Sequence, residues 1–195
     1  MIDPLPQKIY IDEKEYPIRW DFRVGILYEL LMMDEEVEGA EKPLLALRLF
    51  YPEIPENWKM ALDGIQWFYR GGEEKKHLTK KRGRKKRERI YCFEQDDAFI
   101  YSAFFEQYGL DLTKEYDLHW WRFRALFQGL GEDTAFSKVM GYRAMEISDS
   151  MGKEEKEFYK RMKETYRLSN GKAEEEKILA IENALLSGGD LSNLL

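Results

Sequence analysis

The apolar residues of this chain keep two kinds of spacing: a short stretch suited to strands, then a long remainder suited to helices. Lys8-Ile9-Tyr10-Ile11 and Glu15-Tyr16-Pro17-Ile18-Arg19 flank the polar turn Asp12-Glu13-Lys14. Tyr- and Ile-rich runs across a short polar spacer predict a β-hairpin. Pro17 has no amide hydrogen to give a ladder, so its strand is expected at an edge.

Everything after the hairpin reads as helix. Asp21 is placed to cap a helix over 22–33, where Val24, Leu27, Tyr28 and Leu31 recur at +3, +4 and +7. A short helix over 42–50 carries Pro43 in its first turn, where a missing amide hydrogen costs little. Pro52 and Pro55 impose a loop. The third helix opens at Pro55 or Asn57 and runs to Arg70. Trp58, Ala61, Leu62, Ile65, Phe68 and Tyr69 form its apolar stripe, and Gly71 suits a left-handed C-terminal cap.

Ile90-Tyr91-Cys92-Phe93 is short and apolar, either extended chain or the lead into a helix over 94–108 that Gly109 ends. That helix has two apolar stripes, Ala98/Tyr101/Phe105/Tyr108 and Ile100/Phe104. So does the helix over 116–130, with Leu118/Trp121/Ala125 and Trp120/Phe123/Phe127/Leu130. Helices apolar on most sides are expected at the centre of a bundle. Asp133 or Thr134 caps a shorter helix containing Ala135, Phe136, Val139 and Met140. A helix over 153–166 is expected to turn Phe158, Met162, Thr165 and Tyr166 inward. After Ser169-Asn170-Gly171, residues 172–187 read as a helical tail with Ile178, Ile181 and Leu185 on one stripe. The expected fold is mainly α: a multi-helix bundle with a small N-terminal β-hairpin. Its body covers 1–168 and its C-terminal helical tail 169–195.

Composition narrows the class. Hydrophobic residues make up 44% of 195, enough for a sizeable core, and charged residues 35%, well above the roughly 25% of an average domain. No apolar run reaches the roughly 18 residues a spanning helix needs, and the first residues lack the pattern of a signal peptide. Cys92 is alone, so no intramolecular disulfide is available. The expectation is a soluble intracellular protein without a membrane partner.

Charge is unevenly placed. Residues 75–89 hold ten Lys or Arg and one acid, leaving twenty-one bases and thirty-six acids for the other 180 residues. With one apolar side chain, Leu78, this strip reads as a mobile loop, part of a basic insertion over 71–89. Lys80, Lys81, Arg82, Arg84, Lys85, Lys86 and Arg87 are its candidate anion-binding residues. The strip lacks the interleaved aromatics of a single-strand stacking platform, which favours a solvated insertion over a nucleic-acid site.

No catalytic or metal-binding constellation emerges. The two histidines, His77 and His119, make no zinc-type spacing. His119 beside Trp120-Trp121 reads as a partly buried, hydrogen-bonded structural histidine, and Cys92 as a small buried hydrophobe. The Gly pairs lie at expected helix ends and match no phosphate-binding fingerprint. Acid pairs such as Asp96-Asp97 and Glu132-Asp133 fall at helix starts, where the macrodipole accounts for them. A helix-turn-helix across 116–145 would need a basic, base-reading second helix, but it offers only Lys138 and Arg143. No enzyme activity, metal or cofactor is expected.

Five blocks occur in order: Asp21-Phe22-Arg23-Val24-Gly25-Ile26, Leu49-Phe50-Tyr51-Pro52, Trp67-Phe68-Tyr69-Arg70, the run from Leu118 through Trp120-Trp121 to Phe127, and Phe136 to Arg143. Together they resemble the bacteriophage gene-product-fifteen family, encoded in tail modules of long-tailed phages and prophages. The resemblance covers about 9–168, with the basic strip as a variable insertion.

The resemblance implies a non-enzymatic tail assembly chaperone in the host cell cytoplasm. Such a protein binds the tape measure protein during virion morphogenesis, with other tail proteins and a homo-oligomer as further partners. The alternatives are a nucleic-acid-associated phage protein acting through 75–89, or a small structural tail component. A holder of a long helical client needs exposed apolar stripes ringed by charge. Ile178, Ile181 and Leu185 are the candidate partner-binding residues.

Overall fold

A computed structural model describes residues 4–73 and 89–169. Their element order is β1 (Lys8–Ile11), β2 (Lys14–Pro17), α1 (Phe22–Met33), α2 (Lys42–Phe50), α3 (Trp58–Tyr69), α4 (Asp97–Tyr108), α5 (Trp120–Gln128), α6 (Ala135–Ala144) and α7 (Lys153–Thr165). The fold is mainly α, seven helices with an N-terminal antiparallel hairpin among the described residues. Contacts divide the described residues into a unit of 4–73 and 93–138 and a unit of 89–92 and 139–169.

The hairpin turn has two residues rather than three: Asp12 and Glu13 both take positive φ, 48° and 64°, and Ile11 faces Lys14. Positive φ at both positions gives the turn twist that right-twisted strands require. The Ile18 amide donates to the Gln7 carbonyl at 3.0 Å. Antiparallel pairs alternate between bonded and non-bonded positions, so Lys8↔Pro17 is a non-bonded pair and the proline displaces no ladder bond. Asn57 ties the hairpin to α3. Its Nδ2 donates to the Asp12 carboxylate at 3.0 Å, and its Oδ1 accepts from the Met60 amide, capping the helix.

Asp21 caps α1 as the sequence predicts, accepting from the Arg23 amide at 2.9 Å. Arg19 closes the other end of α2: its Nη1 donates to the carbonyls of Arg48, Leu49 and Tyr51, placing a cation on a helix C-terminus. Gly71 and Gly109 take the left-handed conformation expected of them, with φ of 76° and 65°. The stretch after Ile18 is not purely helical. An isolated bridge pairs Asp21 with His119 and ties the start of α1 to the start of α5, so α5 begins at Trp120 rather than near 116.

In the first unit the core is a network of aromatic rings. Phe123 is fully buried, with Phe22 at 4.9 Å, Phe104 at 5.1 Å and Trp120 at 5.8 Å between ring centroids. Tyr28 meets Phe50 at 5.4 Å, and Phe50 meets Phe68 at 5.9 Å. Each such pair adds roughly 0.5–1.5 kcal/mol beyond area burial.

Several expected stripes are rotated. α1 buries Phe22, Gly25, Tyr28 and Glu29, leaving Leu27 half exposed. α3 buries Ala61, Ile65 and Phe68, while Trp58 is half exposed. α4 buries only the Ile100/Phe104 side together with Ala103, and Ala98, Tyr101 and Phe105 stay outside. It is therefore not the all-round buried helix that its composition suggests.

In the second unit Arg143 acts as a tie. Its Nε donates to the Tyr166 carbonyl at 2.5 Å and its Nη1 to the Ile90 carbonyl at 3.1 Å. Tyr142 stacks on Tyr166 and meets Phe158 edge-on. α7 has no buried residue. Phe158 and Thr165, expected inside, are exposed, while Met162 and Tyr166 are half-buried.

Candidate interaction surface

The candidate partner stripe Ile178, Ile181 and Leu185, and the candidate anion-binding residues Lys80, Lys81, Arg82, Arg84, Lys85, Lys86 and Arg87, lie outside the described residues. So does the expectation of a mobile strip. Among the described residues no group of three or more His, Cys, Asp or Glu is placed to hold a metal ion. No described helix is long and apolar enough to cross a membrane.

His119 is a structural histidine, as its neighbours suggested. Its Nδ1 accepts from the Trp121 amide at 3.0 Å and so caps α5, while Nε2 lies 3.0 Å from the Pro6 carbonyl. The cap requires Nδ1 unprotonated, so Nε2 carries the hydrogen given to Pro6. Burial is the main cause that pushes its pKa below 6.5; the Pro6 carbonyl opposes this and the Arg122 charge adds to it. Cys92 is buried.

An open apolar groove of about 450 Å³ lies between β1 and α3. Lys8, Ile9 and Tyr10 form one wall, and Met60, Asp63, Gly64 and Trp67 the other. Met60, Gly64 and Trp67 sit at +4 and +7, so they share one face of α3. Gly64 is required there: a Cβ at this position would come within 2.8 Å of Ile9 Cγ2. Reading α3 for its largest stripe missed this second set, although the +4, +7 spacing was present in the sequence.

The rim of the groove is charged and ordered. On the solvent side of the hairpin, Lys8 Nζ meets Glu15 at 2.6 Å and the Tyr10 hydroxyl donates to the same carboxylate at 2.5 Å. Both contacts favour the carboxylate, so the Glu15 pKa is lowered, first by the Lys8 bond, and those of Lys8 and Tyr10 are raised. Tyr10 remains 68% exposed. A second apolar surface lies on α4, where Tyr101 and Phe105 stack on each other at 6.1 Å with their outer faces open.

Two of the five blocks that carry the family resemblance meet at the end of α3. Trp121 Nε1 donates to the Phe68 carbonyl at 2.7 Å and Trp120 Nε1 to the Tyr69 carbonyl at 2.8 Å; Arg124 Nη1 donates to the Arg70 carbonyl. Three side chains of α5 thus donate to three successive carbonyls at the C-terminal end of α3, where a helix runs out of its own donors. The Phe68 carbonyl also accepts from the Gly71 amide at 3.0 Å. Two sequence blocks fifty residues apart are one structural device.

The profile of the bacteriophage Gp15 protein family matches residues 1–168. The chain belongs to that family. No curated protein and no solved structure matches it. In this Gp15 family protein the matched stretch contains the hairpin, all seven described helices, the groove and the clamp of α5 on α3.

Proposed function

We propose that this Gp15 family protein is a tail assembly chaperone that binds the tape measure protein during phage tail morphogenesis and catalyses no reaction. Family membership supports a phage protein. The observation that carries the finer reading is the exposed apolar surface: the open groove beside Tyr10 and Met60, and the Tyr101–Phe105 pair on α4. A client with apolar stripes is kept soluble by surfaces of this kind within a charged rim. The tail stripe Ile178/Ile181/Leu185 is a third contact in this proposal, carried by its helical spacing alone.

Co-expression with segments of a tape measure protein tests the reading. Increased soluble yield and co-purification are expected. Changing Ile178, Ile181 and Leu185 together to Asp should reduce both, because burying charges in an apolar partner groove costs several kcal/mol. Failure of every segment to co-purify with the unaltered chain overturns the proposal. Tight DNA binding at physiological salt would transfer the function to the ten bases of 75–89.

A further inference from the structure

β1 and β2 have very different outer edges. In the hairpin register the backbone groups of Ile9 and Ile11 face β2, so those of Lys8 and Tyr10 face outward. On β2 the outward positions are Glu15 and Pro17, and the proline offers no N–H. That edge is blunted in the way natural sheets avoid pairing. β1 has no such protection. Its two outward residues each present a full donor–acceptor pair, no described residue bonds them, and Lys8 is already matched by Glu15.

We infer that the β1 edge is a self-association site, at which a second copy of this chain pairs its own β1 antiparallel across a two-fold axis. The edge itself selects the register. Centring the axis on Ile9 sets Lys8 opposite Tyr10 of the second copy, and each pair exchanges both of its backbone hydrogen bonds. Centring on Lys8 sets two ammonium groups opposite each other and brings Pro6, which has no donor, against Tyr10. Centring on Tyr10 pairs Lys8 with Asp12, which the left-handed turn removes from the strand. Only the Ile9-centred register satisfies every outward group and avoids a like-charge pair.

Charge complementarity points the same way. On the solvent face Glu15, Tyr10 and Lys8 of the second copy fall in one row across the joined strands, so acid and base alternate through a tyrosine. On the other face Ile9 meets its equivalent. A two-fold axis normal to the sheet keeps both copies of α3 on that same face. The Met60–Gly64–Trp67 faces of the two copies then lie on the same side of the joined strands as the paired Ile9 side chains. The association concerns this chain alone and does not depend on the tape measure reading.

Analytical ultracentrifugation of the full chain over a concentration series should show a monomer–dimer equilibrium. Tyr10→Lys places like charges opposite each other at both pairs and should leave a monomer with unchanged circular dichroism. Register is tested separately with Lys8→Cys and Tyr10→Cys, two exposed positions whose Cα atoms would lie about 5.5 Å apart across the axis, within disulfide reach. An oxidised mixture of the two variants should give a cross-linked dimer, whereas each variant alone should not. A chain that is monomeric at every concentration overturns the inference, as does a dimer unaffected by Tyr10→Lys or one that the cysteine mixture does not cross-link. A monomer whose Tyr10→Cys variant instead cross-links to a different polypeptide gives the edge to a foreign strand and equally overturns it.

Discussion

Gly25 on α1 faces the indole of Trp120 on α5 so closely that a Cβ at position 25 would lie 2.2 Å from Cε3 of the ring. Trp120 cannot easily move away. It is buried, stacks on Tyr69 at 5.2 Å, and gives its ring N–H to the Tyr69 carbonyl. Contact between the two helices therefore depends on one missing methyl group.

Gly25→Ala sets two known effects against each other. Helix propensity alone favours alanine by roughly 1 kcal/mol. Forcing a methyl into a packed aromatic core costs about 1–3 kcal/mol, and at 2.2 Å the upper part of that range applies. The net expectation is a lower urea midpoint, with Gly25→Val lower still. A Gly25→Ala variant more stable than the parent would mean that the ring yields.

The clamp of α5 on α3 predicts a cost at Trp121. Trp121→Phe keeps a ring but removes the donor to the Phe68 carbonyl. The Phe68 carbonyl keeps the Gly71 amide as a donor at 3.0 Å, so the loss is that of one hydrogen bond and should lower the unfolding free energy by about 0.5–1.5 kcal/mol. Gly72 reports on the same ring, since its Cβ would lie 2.7 Å from Trp121 Cη2 and its φ is 81°. Gly72→Ala should therefore destabilise through both strain and collision. Equilibrium unfolding curves of the two variants check both effects, and a neutral Trp121→Phe would show that the clamp is dispensable.

His119 predicts a pH dependence whose sign follows from its depressed pKa. The unfolded chain begins to bind a proton near pH 6.5, while the folded chain resists because burial disfavours the charged ring, and protonation of Nδ1 would also break the cap on α5. Its contribution is complete above that value. It declines as pH falls through the window between 6.5 and the lower folded-state pKa, because there the unfolded state binds more protons. Urea midpoints measured from about pH 7.5 down to about pH 5 should fall, and His119→Gln should flatten that part of the slope. An unchanged slope in His119→Gln would assign the dependence to other groups.

Local signals in the sequence were legible where one residue determines one feature. Asp21 and Asn57 as caps, Gly71 and Gly109 as left-handed stops, and Pro17 at a non-bonded edge position all follow from backbone chemistry within a few residues. Orientation was less legible, because it depends on what lies opposite. On α4 two stripes compete, and only the position of Phe123 decides for Phe104 over Phe105. Gly25 reads as a weak helix residue until Trp120 is placed against it. The candidate surface was hidden for the same reason. Ile9 and Gly64 are far apart in sequence, and each looks ordinary until β1 lies on α3.

Phe104 and Phe105 are neighbours in sequence with opposite roles, and this makes a clean test of the face α4 presents. Phe104 is fully buried and stacks on Phe123, while Phe105 is 56% exposed and stacks along its own helix on Tyr101. Phe104→Ala should cost about 3–5 kcal/mol, the usual range for emptying an aromatic core site. Phe105→Ser should cost little, close to the ±0.5 kcal/mol typical of surface changes, with a small extra loss for the Tyr101 stack. The same pair separates folding from binding. If the α4 face holds an apolar client, Phe105→Ser should reduce the soluble yield of co-expressed tape measure segments while the urea midpoint is kept. A Phe105→Ser variant that loses stability like Phe104→Ala would mean that the outer stripe is packed. One that keeps both stability and full client solubilisation would remove α4 from the contact surface and leave the β1–α3 groove to carry it.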